Sequence, residues 1–220
     1  MSLIVFKLES STMPNRLREI ILMAIFTALA IAGGLFLAQL PNIELVTAMI
    51  FLGGMTLGVV RGAIVGTVAE FLYSFFNPYG IASPPLMSAQ VISMALAGVA
   101  GGLMRHWFGA RVPPAWLLGL CGFVITFIFD LLTTLSFTVF TGSGLPGFIA
   151  AIVLGLYFYL VHQVSNTLVF ALLLPVLLRR LPQLPILNGN HSAAQTLPPL
   201  DLQPSINFQP KESREHVWPS

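Results

Sequence analysis

Six apolar stretches, separated by short polar or Gly/Pro-bearing breaks, organise the first 180 residues. They cover about 18–40, 45–60, 62–76, 88–104, 115–140 and 147–178. A helix needs about 20 predominantly apolar residues to cross the hydrocarbon core of a bilayer. The first, fifth and sixth stretches reach that length. The second and third fall short, and their junction, Gly58-Val59-Val60-Arg61-Gly62, predicts a tight turn. Short or Gly-interrupted spans are tolerated where neighbouring protein covers them. Pro175 removes a backbone donor and predicts a bend late in the sixth stretch. The pattern predicts an all-α integral membrane protein of six transmembrane helices over residues 18–180. Residues 1–17 form an N-terminal arm. Residues 181–220 are rich in Pro, Asn, Gln and Ser without an apolar period, and read as a disordered tail.

Composition sharpens this. Charged residues make up 8% of the chain, against about 25% in a soluble domain. The first stretch is too long for a signal peptide and lacks a convincing small-x-small cleavage site, so it reads as a retained span. All ten Lys and Arg fall on one side of the six-span topology. Lys7, Arg16 and Arg18 precede span 1; Arg61 joins spans 2 and 3; Arg105 and Arg111 join spans 4 and 5. Arg179, Arg180, Lys211 and Arg214 follow span 6. The other three connections carry none. Basic residues accumulate in cytoplasmic loops, which predicts a multi-pass cell-membrane protein with both termini cytoplasmic. Asn190-His191-Ser192 is then a chance match to a glycosylation sequon. The charge pattern gives no nucleic-acid footprint.

Candidate chemistry is sparse. The lone Cys121 forms no disulfide framework and reads as a packed small residue. No P-loop, metal-ligand set or H-E-x-x-H occurs, so neither nucleotide hydrolysis nor metal chemistry is expected of this chain. Ser143 between glycines lacks the helix-embedded Gly-x-Ser-Gly of intramembrane serine proteases, which argues against an enzyme. Polar groups at membrane depth are costly and mark function by default. Here they are Glu70, Gln90, Asp130, His162, Gln163 and Asn166, with Glu44 in the first external loop. Glu70, His162 and Asn166 also have structural readings, as a hydrogen-bonded carboxyl, a packed histidine and a tie between helices. Asp130 is a lone acid followed by Thr133, Thr134, Ser136 and Thr138, which suits ligand contact. Phe75, Phe76, Tyr79, Phe137 and Phe140 share one depth, as an interfacial belt or as stacking surfaces for a flat ring. Small residues recur every four positions in Ala24, Ala28 and Ala32, in Gly54, Gly58, Gly62 and Gly66, and in Gly98 and Gly102. Such faces let helices approach closely, within the protein or against a partner.

Four features together resemble the substrate-binding S component of energy-coupling factor (ECF) transporters. They are the six spans with both ends inside, the face Ala24-x-x-x-Ala28-x-x-x-Ala32, the first loop and the second connection. The loop reads Pro41-Asn42-Ile43-Glu44-Leu45-Val46-Thr47 before a Gly-rich helix ending Leu57-Gly58. The second connection reads Asn77-Pro78 and then Pro84-Pro85-Leu86-Met87-Ser88-Ala89-Gln90. The resemblance implies capture of a vitamin or related micronutrient under the first loop. It implies docking of Ala24, Ala28 and Ala32 on a membrane T component driven by two ATPase subunits. ATP is then used by those partners, and this chain needs no cofactor. By position, Asn42, Glu44, Asn77, Gln90, Asp130 and Tyr157 would border the pocket. Neither the tail nor Glu70 belongs to the family pattern. The competing reading is a stand-alone proton- or ion-coupled transporter with Glu70, Asp130 and His162 as a relay. Against it, the spans show no convincing inverted repeat.

Overall fold

Gly58 breaks what would otherwise be one long apolar helix. Its backbone takes φ 93° and ψ 177°, a conformation open to glycine and strained for other residues. On one side lies α2 (Val46–Leu57) and on the other α3 (Val59–Phe75). Before them runs α1 (Asn15–Leu37), and after them α4 (Pro84–Phe108), α5 (Ala115–Thr141) and α6 (Gly144–Leu168). A π-helical turn (Val169–Leu173) carries α6 into α7 (Leu174–Arg180) and a final 3-10 turn, Leu181–Gln183. The computed structural model describes residues 15–183. Most of the arm and tail therefore lie outside the described residues, with Lys7, Lys211, Arg214 and the 190–192 sequon.

The described chain is all-helical. Four helices are long and apolar enough to cross a membrane: α1, α4, α5 and the continuous Gly144–Gln183 rod. α2 is shorter, at 12 residues or about 18 Å. Ten of those 12 residues are buried, so neighbouring helices cover what the bilayer cannot. The outer surface is apolar, with Phe36 and Leu154 each 83% exposed. Conversely, the buried residues of α6 are His162 and Asn166 alone, both polar. Apolar side chains outside and polar ones inside is the distribution lipid demands and water penalises.

Prolines and glycines set boundaries that the apolar pattern misplaces. α4 begins at Pro84, four residues before the apolar stretch, because proline in a first turn has no N–H to waste and a helical φ. Between α5 and α6 only Gly142 and Ser143 remain. Gly142 ends α5 in the left-handed conformation at φ 65°. Where a bend is expected, before Pro175, the helix carries a π turn. The Leu174 N–H bonds back to the Val169 carbonyl, five residues earlier. That slip accommodates a proline with no donor and a ring that crowds the carbonyl four residues back.

The glycines of α2, α3 and α4 bring three backbones into contact. A Cβ placed on Gly98 would lie 2.0 Å from the Gly62 carbonyl oxygen, and one on Gly101 would lie 2.0 Å from that of Phe51. This is packing inside the chain. α1 is different. It buries Leu22, Phe26, Ala30 and Gly34 and turns Ala24, Ala28 and Ala32 outward, all exposed. Phe51 and Phe170 meet at the centre of the core, ring centroids 5.1 Å apart.

Arg18, Arg61, Arg105 and Arg111 gather around one end of the bundle, here termed the basic end. A second cavity opens toward the opposite end.

Candidate functional site

That second cavity, about 620 Å³, lies beneath the loop between α1 and α2. Its wall includes Glu44 from the loop, Glu70 from α3, Gln90 from α4, Asp130 from α5 and His162 from α6. Tyr73, Tyr79, Phe129 and Tyr159 add aromatic surface, and no Lys or Arg lines it among the described residues. Pockets of a few hundred Å³ with apolar walls and few convergent polar groups are the usual form of a small-molecule site.

The loop is fastened across the bundle to α6. Asn42 adopts a left-handed backbone, φ 59°, which asparagine tolerates better than most residues. Its side-chain amide donates to the Phe158 carbonyl at 2.8 Å, and its own carbonyl accepts from the Ser165 hydroxyl at 3.0 Å. Glu44 sits just before α2 and accepts the Thr47 amide N–H at 2.9 Å and the Thr47 hydroxyl at 2.6 Å. A carboxylate there meets the positive end of the helix dipole. The same carboxylate accepts from Asn166 Nδ2 at 2.9 Å, and Asn166 also donates to Thr126 on α5. The Asn166 amide therefore ties α6 to both the loop and α5.

A chain of titratable groups crosses the cavity wall. His162 Nδ1 lies 2.8 Å from Asp130 Oδ1, and its Nε2 lies 3.9 Å from Glu44 Oε1. Phe129 presents its edge to the imidazole, centroids 5.7 Å apart. Opposite, the Ser74 hydroxyl lies 3.0 Å from Glu70 Oε1 and 3.1 Å from Gln90 Oε1, joining α3 to α4. Among the described residues these groups form no metal-binding set of three.

Burial pushes the Glu44 carboxyl up, but the His162 imidazole 3.9 Å away and hydrogen bonds from Thr47 and Asn166 outweigh it and hold the group below its ordinary 4.5. A depressed carboxyl contributes stability that is complete above its unfolded value and lost as pH falls through the folded one. Acidification below the ordinary carboxylate range is therefore expected to loosen the loop. Hydrogen exchange at residues 38–47, measured against pH, checks this. Glu44→Gln should flatten that dependence; an unchanged profile would show that the Glu44 carboxyl does not govern it.

Of the residues expected at the pocket, Asn42, Glu44, Gln90 and Asp130 line it. Asn77 lies outside it. Its Oδ1 accepts the Tyr79 N–H at 2.9 Å, and the turn aims Tyr79 at the cavity. The Tyr79 hydroxyl then donates to the Ala38 carbonyl at 3.0 Å, so the α3–α4 loop meets the end of α1. Tyr157 faces outward, 72% exposed. Tyr159, two residues and about 200° further round the helix, lines the cavity and bonds the Thr134 hydroxyl at 2.5 Å. Thr133, Thr134, Ser136 and Thr138 all donate to carbonyls of their own helix. They satisfy themselves locally, and of the four only Thr133 lines the cavity. Glu70, Tyr73, Tyr159 and His162 are among the lining residues left out of the expected set. Tyr159, His162 and Asn166 follow an i, i+3, i+7 spacing, which marks one helix face.

No protein-family model, curated protein or solved structure matches this chain.

Proposed function

We propose that this protein is the membrane-embedded substrate-binding subunit of an ATP-driven ECF-type importer, taking up a vitamin or related micronutrient. The observation that carries the reading is the cavity beneath the α1–α2 loop, walled by Asn42, Glu44, Gln90 and Asp130. In this reading α1 to α5 and the long final rod are six spans, and both termini are cytoplasmic. Convergence of four loop and helix-end arginines on one end of the bundle supports that orientation. The outward Ala24, Ala28 and Ala32 face of α1 serves as the docking surface for a separate T component, to which two ATPase subunits bind. The pocket, acidic and aromatic with His162 as the one basic side chain among its described lining residues, suits a flat heterocycle bearing hydrogen-bond donors or positive charge.

Mass spectrometry of small molecules that copurify with the chain expressed alone tests the proposal. One stoichiometric vitamin-like compound, lost in Asp130→Ala, is the expected result. Absence of any bound compound, followed by no stabilisation in a vitamin thermal-shift panel, would sink it.

One observation favours a second reading. The Asp130–His162–Glu44 chain spans α5, α6 and the loop, as a proton relay would in a stand-alone secondary transporter. Uptake by this chain alone in liposomes, driven by a pH gradient without ATPases, would establish that reading.

A further inference from the structure

The basic end holds its own cavity, of about 750 Å³, separate from the acidic one. Arg18 of α1, Arg61 of α3, Arg105 of α4 and Arg111 of the α4–α5 loop line it, with Glu19 as the one carboxylate among the described lining residues. Glu19 is already engaged with Arg61 at 2.7 Å. The Arg105 guanidinium donates to the Thr56 carbonyl, which holds it across the α2–α3 junction. The Arg111 side chain has no hydrogen-bond or ion-pair partner among the described residues. Beneath this rim the floor is apolar, including Leu22 and Met55.

A second observation fixes the depth. Trp107, at the end of α4, and Trp116, at the start of α5, flank the same connection and are 73% and 70% exposed. Exposed tryptophans on membrane helices sit at the headgroup level. The arginine rim therefore lies where lipid phosphates lie, with an apolar floor beneath it. Guanidinium groups are weakly hydrated and pair bidentately with phosphate oxygens. Basic pockets between transmembrane helices are suited to phospholipid headgroups.

We infer that this cavity is a phosphate-binding site, occupied by the phosphodiester headgroup of an anionic phospholipid. The carboxylate that would welcome a headgroup ammonium is consumed by Arg61, so an anionic headgroup is preferred over a zwitterionic one. Bound there, the lipid bridges α1, α3 and α4 and fixes the level of this end in the bilayer. The site is independent of what the acidic cavity binds.

Native mass spectrometry of the full chain in detergent, titrated with phosphatidylglycerol or phosphatidylcholine, tests it. Inorganic pyrophosphate serves as the soluble probe. Phosphatidylglycerol should bind more tightly than phosphatidylcholine. Arg111→Gln should weaken it about fivefold, the contribution of one basic residue near an anionic surface. Adding Arg105→Gln should weaken it further, and Arg105→Lys in place of Gln should restore part of the loss. The Arg111 side chain has no partner among the described residues, so that variant should keep the fold, checked by an unchanged melting temperature without lipid. Pyrophosphate binding with the same arginine dependence, and no preference for phosphatidylglycerol, would keep the phosphate chemistry and move its source to a soluble anion. Phosphatidylglycerol binding unchanged by Arg111→Gln and by the double variant would overturn the site. So would failure of both phosphatidylglycerol and pyrophosphate to bind.

Discussion

Gly98→Leu is expected to prevent assembly of the folded protein, and Gly98→Ala to destabilise it more than an ordinary core overpacking. A Cβ at position 98 would meet the Gly62 carbonyl oxygen at 2.0 Å and the Gly62 carbonyl carbon at 2.4 Å. These atoms belong to the backbone of α3, so no rotamer change relieves the clash. Overpacking a core by side chains costs about 1–3 kcal/mol. Here α3 and α4 must separate instead. Gly54 and Gly66 approach α4 as closely, since a Cβ on either would lie 2.1 Å from a carbonyl oxygen of that helix. Separation at one point therefore disturbs packing along the whole α2–α3–α4 contact. Gly119→Ala provides the internal comparison, because its Cβ would come no closer than 3.2 Å to any neighbour, the Ala171 methyl. Melting temperature and monodispersity of the purified variants, with no partner subunit present, check the prediction. Wild-type values for Gly98→Ala would refute the packing argument.

This contact also explains what is legible in the chain and what is not. The six helical regions are legible because apolar runs of membrane length leave few alternatives. The apolar pattern misplaces the starts of α4 and α6, because Pro84-Pro85 and Gly144 look like breakers. Position decides their effect: proline suits the first turn, and Gly142 alone suffices to end α5. The rare polar residues are legible as candidates for a similar reason, since each is expensive at membrane depth. Their grouping is less so. Glu70 reaches Gln90 through Ser74 only because the glycines set how closely α3 and α4 cross. Tyr157 and Tyr159 differ in orientation, and choosing between them requires the phase of α6, which the inward pair His162 and Asn166 supplies. Hydropathy does not tell which face of α1 is inward. A helix apolar all round has no polar stripe to mark its outside.

The direction in which that α1 face points governs the second large effect. Ala28→Trp is expected to leave substrate binding intact and to abolish uptake by the proposed importer. Ala28 is exposed and lies on the side of α1 opposite the core residues Leu22, Phe26 and Ala30. It lines neither cavity, so an indole there has nothing inside the chain to displace. Lipid alone would accept the larger side chain without penalty, because acyl chains rearrange around an apolar ring. A docked helix would not. Small residues at four-residue spacing allow close backbone approach, and one bulky side chain in the row holds the partner away. A docking loss of about 1.4 kcal/mol is already tenfold in affinity. The decisive comparison is therefore a split: ligand affinity of the isolated chain against uptake by cells carrying the complete set of subunits. Normal uptake by Ala28→Trp would make the alanine face a lipid contact and remove the docking role. Loss of binding together with uptake would instead show that α1 cannot change its outer face without altering the cavity formed by its far end at Gly34, Leu37 and Ala38.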